Sequence, residues 1–163
     1  MNAFACDESP IIAAGCLADR HVVKMTLETA QILSTAWRIR YSADYPGIAD
    51  GLGLYKLTHQ KHPVVLTAVA DQDYFDWLVE HGYALADEYQ RRFGKVHASL
   101  RVIWQFTRER STGSLINAPY CGPVEHRTDS IVESYRRYLR AKYQQWGPAA
   151  RWTNTNSPAW LKE

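Results

Sequence analysis

The chain has few cysteines and no long apolar run. None of its hydrophobic stretches approaches the length needed to cross a bilayer. No basic segment precedes the first apolar residues, so we expect no secretory signal. The three cysteines are an odd number without a C-x-x-C pair, which favours free thiols in a reducing compartment. The sequence therefore predicts a cytoplasmic protein with no membrane partner.

The sequence also lacks the motifs of common cofactor sites. Gly51 and Gly53 do not follow a predicted strand, so a nucleotide-binding glycine loop is not expected. His59 and His62 have no cysteine or further clustered ligand near them, so a zinc site is not expected either. We therefore predict no metal and no cofactor.

Strand patterns, internal repeats and low-complexity segments are absent as well, since no stretch alternates regularly between apolar and polar residues. A chain of 163 residues with 46% hydrophobic residues suits one packed core. Periodicity and capping residues predict helices over about 9–17, 20–40, 63–70, 73–94, 96–110 and 131–146. The predicted caps are Ser9 and Gly94, with a capping box formed by Ser130 and Glu133. The predicted fold is all-α, a compact bundle of five or six helices in which residues 1–163 form a single domain.

The net charge of +2 hides an uneven distribution of charge along the chain. Residues 1–90 hold 6 Lys/Arg and 12 Asp/Glu, whereas residues 91–151 hold 12 Lys/Arg and 4 Asp/Glu. The basic segment is rich in aromatic residues, and this combination is typical of nucleic-acid surfaces. The alternative is a solvated helix face over an aromatic core. The predicted DNA contacts in this segment are Arg91, Arg92, Lys95, Arg136, Arg137 and Arg140.

The helix predicted over 20–40 carries a narrow line of polar residues on a largely apolar surface. At about 100° per residue, this line falls within one arc of roughly 80°. It comprises His21, Lys24, Glu28, Gln31 and Thr35. The line faces either a buried polar network or a cleft in which water or substrate satisfies the groups. We favour the cleft, because ionisable groups with perturbed pKa values cluster in functional sites.

A second polar group precedes the helix that begins at Pro63. His59, Lys61 and His62 stand where backbone N–H groups and positive side chains suit a phosphate. The alternative is a capped helix start with exposed histidines. We include these three residues among the candidate DNA contacts.

The segment "LADRH" at residues 17–21, followed by Glu28 seven residues after the histidine, resembles the first helix of the phage-type pyrimidine-dimer DNA glycosylase/AP lyase family, also called endonuclease V. There a Leu-Ala-Asp-x-His segment leads at the same spacing into the catalytic glutamate. The resemblance implies a small all-α enzyme of a prokaryotic or phage-infected cell. It implies Glu28 as the catalytic carboxylate, His21 as a site residue, and DNA contact at Trp152 in a loosely similar tail.

Two neighbours of Glu28 on this helix are further candidate DNA contacts. Lys24 lies one turn before Glu28, and the adjacent carboxylate favours its charged form, so we expect it to contact a phosphate or base rather than to act as the nucleophile. Gln31 and Leu27 occupy positions where the family has DNA-contacting arginines. We include Gln31 as a candidate DNA contact.

The chemistry of base excision suits these residue types. Breaking an N-glycosidic bond develops positive charge on the sugar, which a carboxylate near C1′ stabilises. In the family that the chain resembles, an N-terminal α-amine attacks C1′ and forms a Schiff base. Here that amine belongs to Met1, or to Asn2 after removal of Met1. If Glu28 instead activates a water molecule as the nucleophile, the α-amine takes no part in the reaction.

The predicted function is a DNA base-excision glycosylase, with or without AP lyase activity, acting on a damaged or modified pyrimidine base. The enzyme must turn a nucleotide out of the stack to reach it. We expect DNA as the partner and no obligatory protein partner. Two alternatives remain: another enzyme acting on a modified nucleotide or base, and a non-catalytic DNA-binding accessory protein.

Overall fold

The computed structural model describes residues 1–107 and 113–162, and every regular element within them is helical. This confirms the all-α prediction. The α-helices in these residues are α1 Pro10–Cys16, α2 Asp19–Tyr41, α3 Ile48–Gly51, α4 Pro63–Ala70, α5 Gln72–Phe93, α6 Leu100–Ile103 and α7 Ile131–Trp146. Single 3-10 turns occur at Val124–His126, Gly147–Ala149 and Ala159–Leu161. None of the described helices is long and apolar enough to span a bilayer.

Local capping signals set several helix ends. The hydroxyl of Ser9 caps α1, and Gly94 ends α5 in the left-handed region at φ 65°. The Ser130 hydroxyl accepts a hydrogen bond from the Glu133 N–H at 3.2 Å and starts α7. The Glu133 carboxylate does not return to Ser130 and pairs instead with Arg137 at 3.1 Å. The spacing of Ser130 and Glu133 therefore marks the helix start without forming a complete capping box.

Helices α2 and α5 pack against each other at the centre of the molecule, with α1 on α5, α4 on α2, and α6 against both. Their contact is close at Gly82 of α5, where an added Cβ would lie 3.1 Å from the Thr29 Cγ2 of α2. Fully buried residues on the two helices include Met25, Ile32 and Trp77. Burying such a side chain contributes about 1.5–3 kcal/mol, so this interface holds α2 rigidly in place.

Helix α7 binds both ends of the chain. Arg136 donates to the Cys6 carbonyl at 2.9 Å and pairs with Asp7 at 2.9 Å. Arg140 donates to the Trp160 carbonyl at 2.7 Å. These bonds fix the first residues of the chain in the space between α7 and α2.

Helix α6 is shorter than the helix predicted over 96–110. The described helix covers only Leu100–Ile103, and residues 108–110 lie outside the described residues. The chain leaves the helix because the Phe106 ring turns inward and packs edge-on against Phe75 at a centroid distance of 5.9 Å. The prediction of a continuous basic helix is therefore wrong at 96–99 and at 104–107, and at 104–107 burial of an aromatic side chain prevails over helical propensity.

Candidate active site

The first two residues of the chain lie against Glu28 of α2. The Met1 α-amine nitrogen is 3.9 Å from Oε2 of Glu28, and the Asn2 backbone N–H donates to the same oxygen at 3.0 Å. The Lys24 ammonium is 3.2 Å from the other carboxylate oxygen. The Glu28 side chain is only 12% exposed. Both oxygens of a largely buried carboxylate are thus engaged by nitrogen groups, two of which come from the start of the chain.

These groups line a pocket of about 210 Å³. Its walls are formed by Met1, Asn2, Phe4, His21, Lys24, Met25, Glu28, Cys121, Tyr138 and Lys142. Sites that enclose drug-sized ligands measure about 300–1,000 Å³, so this pocket suits one sugar or one base rather than a whole nucleotide. A larger depression of about 340 Å³ beside Ile11 and Tyr83 lies elsewhere and holds no comparable pairing of amine and carboxylate.

The Asn2 side chain fixes the start of the chain in this position. Its carboxamide oxygen accepts hydrogen bonds from the Ala3 N–H at 2.8 Å and the Phe4 N–H at 3.2 Å. Its amide nitrogen donates to the Cys121 carbonyl at 3.0 Å. Phe4 adopts a positive φ of 49°, a strained conformation that persists only where neighbouring contacts enforce it. The N-terminal segment is therefore held by specific bonds.

His21 is a neutral side chain with an assigned tautomer. Its Nδ1 lies 2.8 Å from the Tyr143 hydroxyl, whose oxygen accepts a hydrogen bond from the Ala18 N–H at 3.1 Å. We assign the hydroxyl as the donor to Nδ1, because its oxygen already accepts the Ala18 N–H, and this assignment places the ring proton on Nε2. Burial, aided by the charges of Lys142 and Lys24, lowers the pKa of His21 to about 3. His21 is thus uncharged at neutral pH and, with this tautomer, presents an N–H donor.

The histidine segment before α4 lies near the same pocket. His62 caps α4 by accepting a hydrogen bond from the Val64 N–H at 3.3 Å. Partial burial lowers the pKa of His62, as do the charges of the N-terminal amine and His59, while the Glu28 charge acts in the opposite direction. His59 and Lys61 are exposed. The start of α4 is therefore within electrostatic reach of Glu28 and the chain start.

A family model described as pyrimidine dimer DNA glycosylase matches residues 1–102. This segment is more than half of the chain and contains Glu28, His21 and the N-terminal residues that meet them. The chain belongs to the pyrimidine dimer DNA glycosylase family. No curated protein and no solved structure matches it. The family match confirms the resemblance recognised at residues 17–28.

The matched segment ends before α7, although α7 supplies one wall of the pocket. Tyr138 and Lys142 line it, as do Cys121 and Phe4, and the sequence analysis identified none of these four as site residues. The spacing of Tyr138, Lys142 and Trp146 places them on one face of a helix. The sequence therefore shows that these three residues share a helix face, but it does not show which part of the fold this face contacts.

Three of the predicted DNA-contacting arginines form bonds within the fold, and the burial of one of them, Arg92, corrects the sequence-based prediction. Arg92 is 2% exposed and pairs with Asp19 at 3.1 Å and with Glu88 at 2.7 Å. Arg136 and Arg140 hold the chain ends against α7, as described above. The burial of Arg92 removes it from the proposed DNA surface. Arg136 and Arg140 are half-buried, and their contact with DNA stays a prediction.

The other predicted contacts have varied surroundings and remain predictions. Arg91 and Arg137 are exposed, and each pairs with a glutamate of its own helix. Lys95 is exposed. Gln31 is half-buried beyond the pocket, and the half-buried Trp152 donates its indole N–H to a backbone carbonyl at 3.1 Å. Within the described residues, no group of three or more His, Cys, Asp or Glu is arranged to hold a metal ion.

Proposed function

We propose that this chain, acting as one domain over residues 1–163, is a DNA glycosylase that excises a damaged pyrimidine and cleaves the resulting abasic site through its N-terminal amine. One observation carries the proposal: a nitrogen of the chain start lies beside the Glu28 carboxylate inside a pocket of sugar or base size. Membership of the pyrimidine dimer DNA glycosylase family supports the substrate class.

Two nitrogens are candidates for the nucleophile. A chain that starts at Met1 has its α-amine 3.9 Å from Glu28 Oε2. A chain that starts at Asn2 would have its amine at the nitrogen that now donates to the same oxygen at 3.0 Å. Hydrogen bonds of catalytic groups are often long before substrate binds, so both positions are compatible with proton transfer to Glu28.

The proposed reaction begins with attack of the neutral amine on C1′ of the damaged nucleotide. The new N–C1′ bond forms as the bond between C1′ and the base nitrogen breaks, and that electron pair leaves with the base. Glu28 stabilises the positive charge on the sugar. It also takes the proton that the amine loses and returns it to the departing base. The C1′–O4′ bond then breaks to give a protonated Schiff base, and water supplies the proton to O4′. Glu28 takes a proton from C2′ as the C3′–O3′ bond breaks, and that electron pair leaves with the 3′ phosphate. Water hydrolyses the Schiff base and frees the amine.

His21 supports this reaction as a hydrogen-bond donor. Its Nε2–H makes no hydrogen bond within the described residues, and the imidazole lines the pocket. Rings of Phe4 and Trp146 lie 4.5 Å and 4.7 Å from the imidazole centroid and hold its orientation. A donor fixed in advance stabilises developing negative charge without reorganisation. We therefore infer that the Nε2–H of His21 donates a hydrogen bond to an oxygen of the sugar or of the departing base.

The experiment uses a labelled duplex that contains one cyclobutane pyrimidine dimer. A glycosylase yields abasic sites that alkali converts to strand breaks, whereas a lyase breaks the strand without alkali. Borohydride should trap a covalent enzyme–DNA adduct, and peptide mapping should locate it at Met1 or Asn2. Alkali-dependent breaks without an adduct would overturn the lyase step and favour water activated by Glu28. Binding without any cleavage would favour the accessory-protein alternative.

A further inference from the structure

Two cations beside the pocket are held by an aromatic ring instead of by a carboxylate. The Arg20 guanidinium carbon lies 5.3 Å from the Trp146 indole centroid, and the Lys142 ammonium lies 5.6 Å from it. Lys142 also lies 5.3 Å from the Tyr138 ring. Neither cation forms an ion pair with a carboxylate within residues 1–107 and 113–162. By contrast, Arg38, Arg91, Arg92, Arg136 and Arg137 each pair with a carboxylate.

This difference matters for anion binding. A carboxylate neutralises a cation and competes with an incoming phosphate. An indole ring attracts the cation through its negative face and leaves the full positive charge available. It also restricts a long side chain before binding, which lowers the entropy lost when the ligand arrives. Trp146 thus orders Arg20 and Lys142 without neutralising them.

The position of the two cations links them to the Glu28 pocket. Lys142 lines that pocket. Trp146 packs against His21, which lines it as well, at a ring distance of 4.7 Å. Arg20 stands one residue before His21 at the start of α2 and is exposed. A nucleotide whose sugar enters the pocket would therefore carry its backbone past both cations.

We propose that Arg20 and Lys142 bind backbone phosphates of DNA beside the nucleotide at Glu28, and that Trp146 is the residue that positions them. This inference rests on the proposed function for its choice of DNA. Lys142 and Trp146 lie on α7, outside the segment matched by the family model. A DNA backbone and a free phosphate ion would both present a phosphate oxyanion to these two cations. A phosphodiester backbone fits better than a free phosphate ion, because the cations occupy two separate positions around one indole.

The test measures the affinity for a duplex with a stable abasic-site analogue as a function of salt. Each phosphate contact contributes about −0.9 to the slope of log K against log[salt]. Arg20→Met and Lys142→Met should each flatten the slope by about 0.9, and the double variant by about twice that amount. Lys56→Met is the matched control. It removes one exposed positive charge that pairs with Asp50, far along the sequence from either cation, and should leave the slope unchanged.

Trp146 is tested separately because it acts through the two cations. Trp146→Leu keeps both positive charges, so it should weaken binding and flatten the slope less than the double variant does. Trp146→Phe restores an aromatic face and should recover most of the affinity. Circular dichroism confirms that each variant is folded. A purely structural role of Trp146 would leave the slope of the folded Leu variant at the wild-type value, and that result would contradict the positioning role.

The outcomes separate this inference from the proposed function. Salt-dependent wild-type binding with unchanged slopes in both cation variants would overturn the phosphate site and leave the glycosylase proposal intact. Altered slopes in an enzyme that cleaves no lesion would support the phosphate site and contradict the glycosylase. Sodium phosphate and sodium chloride are compared at equal ionic strength. Stronger competition by phosphate, lost in Lys142→Met, would assign a free-phosphate site and overturn the backbone proposal.

Discussion

Replacing Tyr143 by phenylalanine tests the link between α7 and the His21 tautomer. The substitution keeps the ring, which packs edge-on against Trp152 at 5.2 Å, and removes only the hydroxyl. Burial raises the pKa of Tyr143 well above its ordinary value, so the hydroxyl keeps its proton and is able to donate to His21. Its loss leaves the Ala18 N–H and the Nδ1 of His21 without their bonds at 3.1 Å and 2.8 Å.

The magnitude follows from those two bonds. Leaving one buried polar group unsatisfied costs about 1–3 kcal/mol, so the loss of two such bonds should lower the free energy of unfolding by about 2–6 kcal/mol. For a chain of this size each kcal/mol shifts Tm by about 2–4 °C. The variant's Tm should therefore fall by about 4 °C or more. Catalysis should fall as well, through kcat rather than KM, since a group misplaced by about 1 Å can cost about 10²-fold.

The assay combines urea unfolding with single-turnover cleavage of the lesion duplex. Tyr83→Phe is the control, because its half-buried hydroxyl donates to the Phe106 carbonyl at 3.3 Å and lies outside the pocket. It should cost about 0.5–1.5 kcal/mol and leave the cleavage rate unchanged. A Tyr143→Phe enzyme with wild-type stability and rate would refute the assignment of the proton to Nε2 of His21.

Two further predictions concern ionisable side chains that are buried in the fold. Burial lowers the pKa of His21 to about 3 and that of His81 to about 4. The unfolded chain therefore binds more protons below about pH 6.5, and stability should fall on acidification by about 2 kcal/mol per histidine at pH 5. Equal free energies of urea unfolding at pH 7 and pH 5 would contradict this. Arg92→Met should destabilise the protein by about 3–5 kcal/mol because it leaves Asp19 without its buried partner. Lys95→Met should stay within about 0.5 kcal/mol of wild type, and identical Tm values for these two variants would show that Arg92 is not structural.

The sequence predicted the parts of the fold that depend on local signals. Periodicity located α2, α5 and α7, and the capping residues Ser9, Ser130 and Gly94 marked helix ends that the structure confirms. The polar line on α2 led to Glu28 and His21 because both stand on one helix, where spacing fixes their relative positions. These inferences required no knowledge of tertiary contacts.

Tertiary contacts decided what the sequence could not show. Arg92 looks like an exposed end of a basic helix, yet its partner Asp19 lies 73 residues earlier in the chain. Lys142 and Tyr138 face the pocket only because α7 packs beside the chain start. The inward turn at Phe106 depends on its contact with Phe75. Long-range pairing of this kind leaves no periodic trace in a single sequence.

The most direct test of the account measures single-turnover excision by Glu28→Gln on the pyrimidine-dimer duplex, with alkali to reveal every abasic site. The substitution keeps the side chain's size and removes the charge beside the chain start. The excision rate should fall by about 10²-fold or more, while DNA affinity and Tm stay near wild type. Glu133→Gln, which changes a half-buried glutamate of α7 outside the pocket, should excise normally. Wild-type excision by a folded, DNA-binding Glu28→Gln enzyme would contradict the claim that this carboxylate and the adjacent amine form the active site.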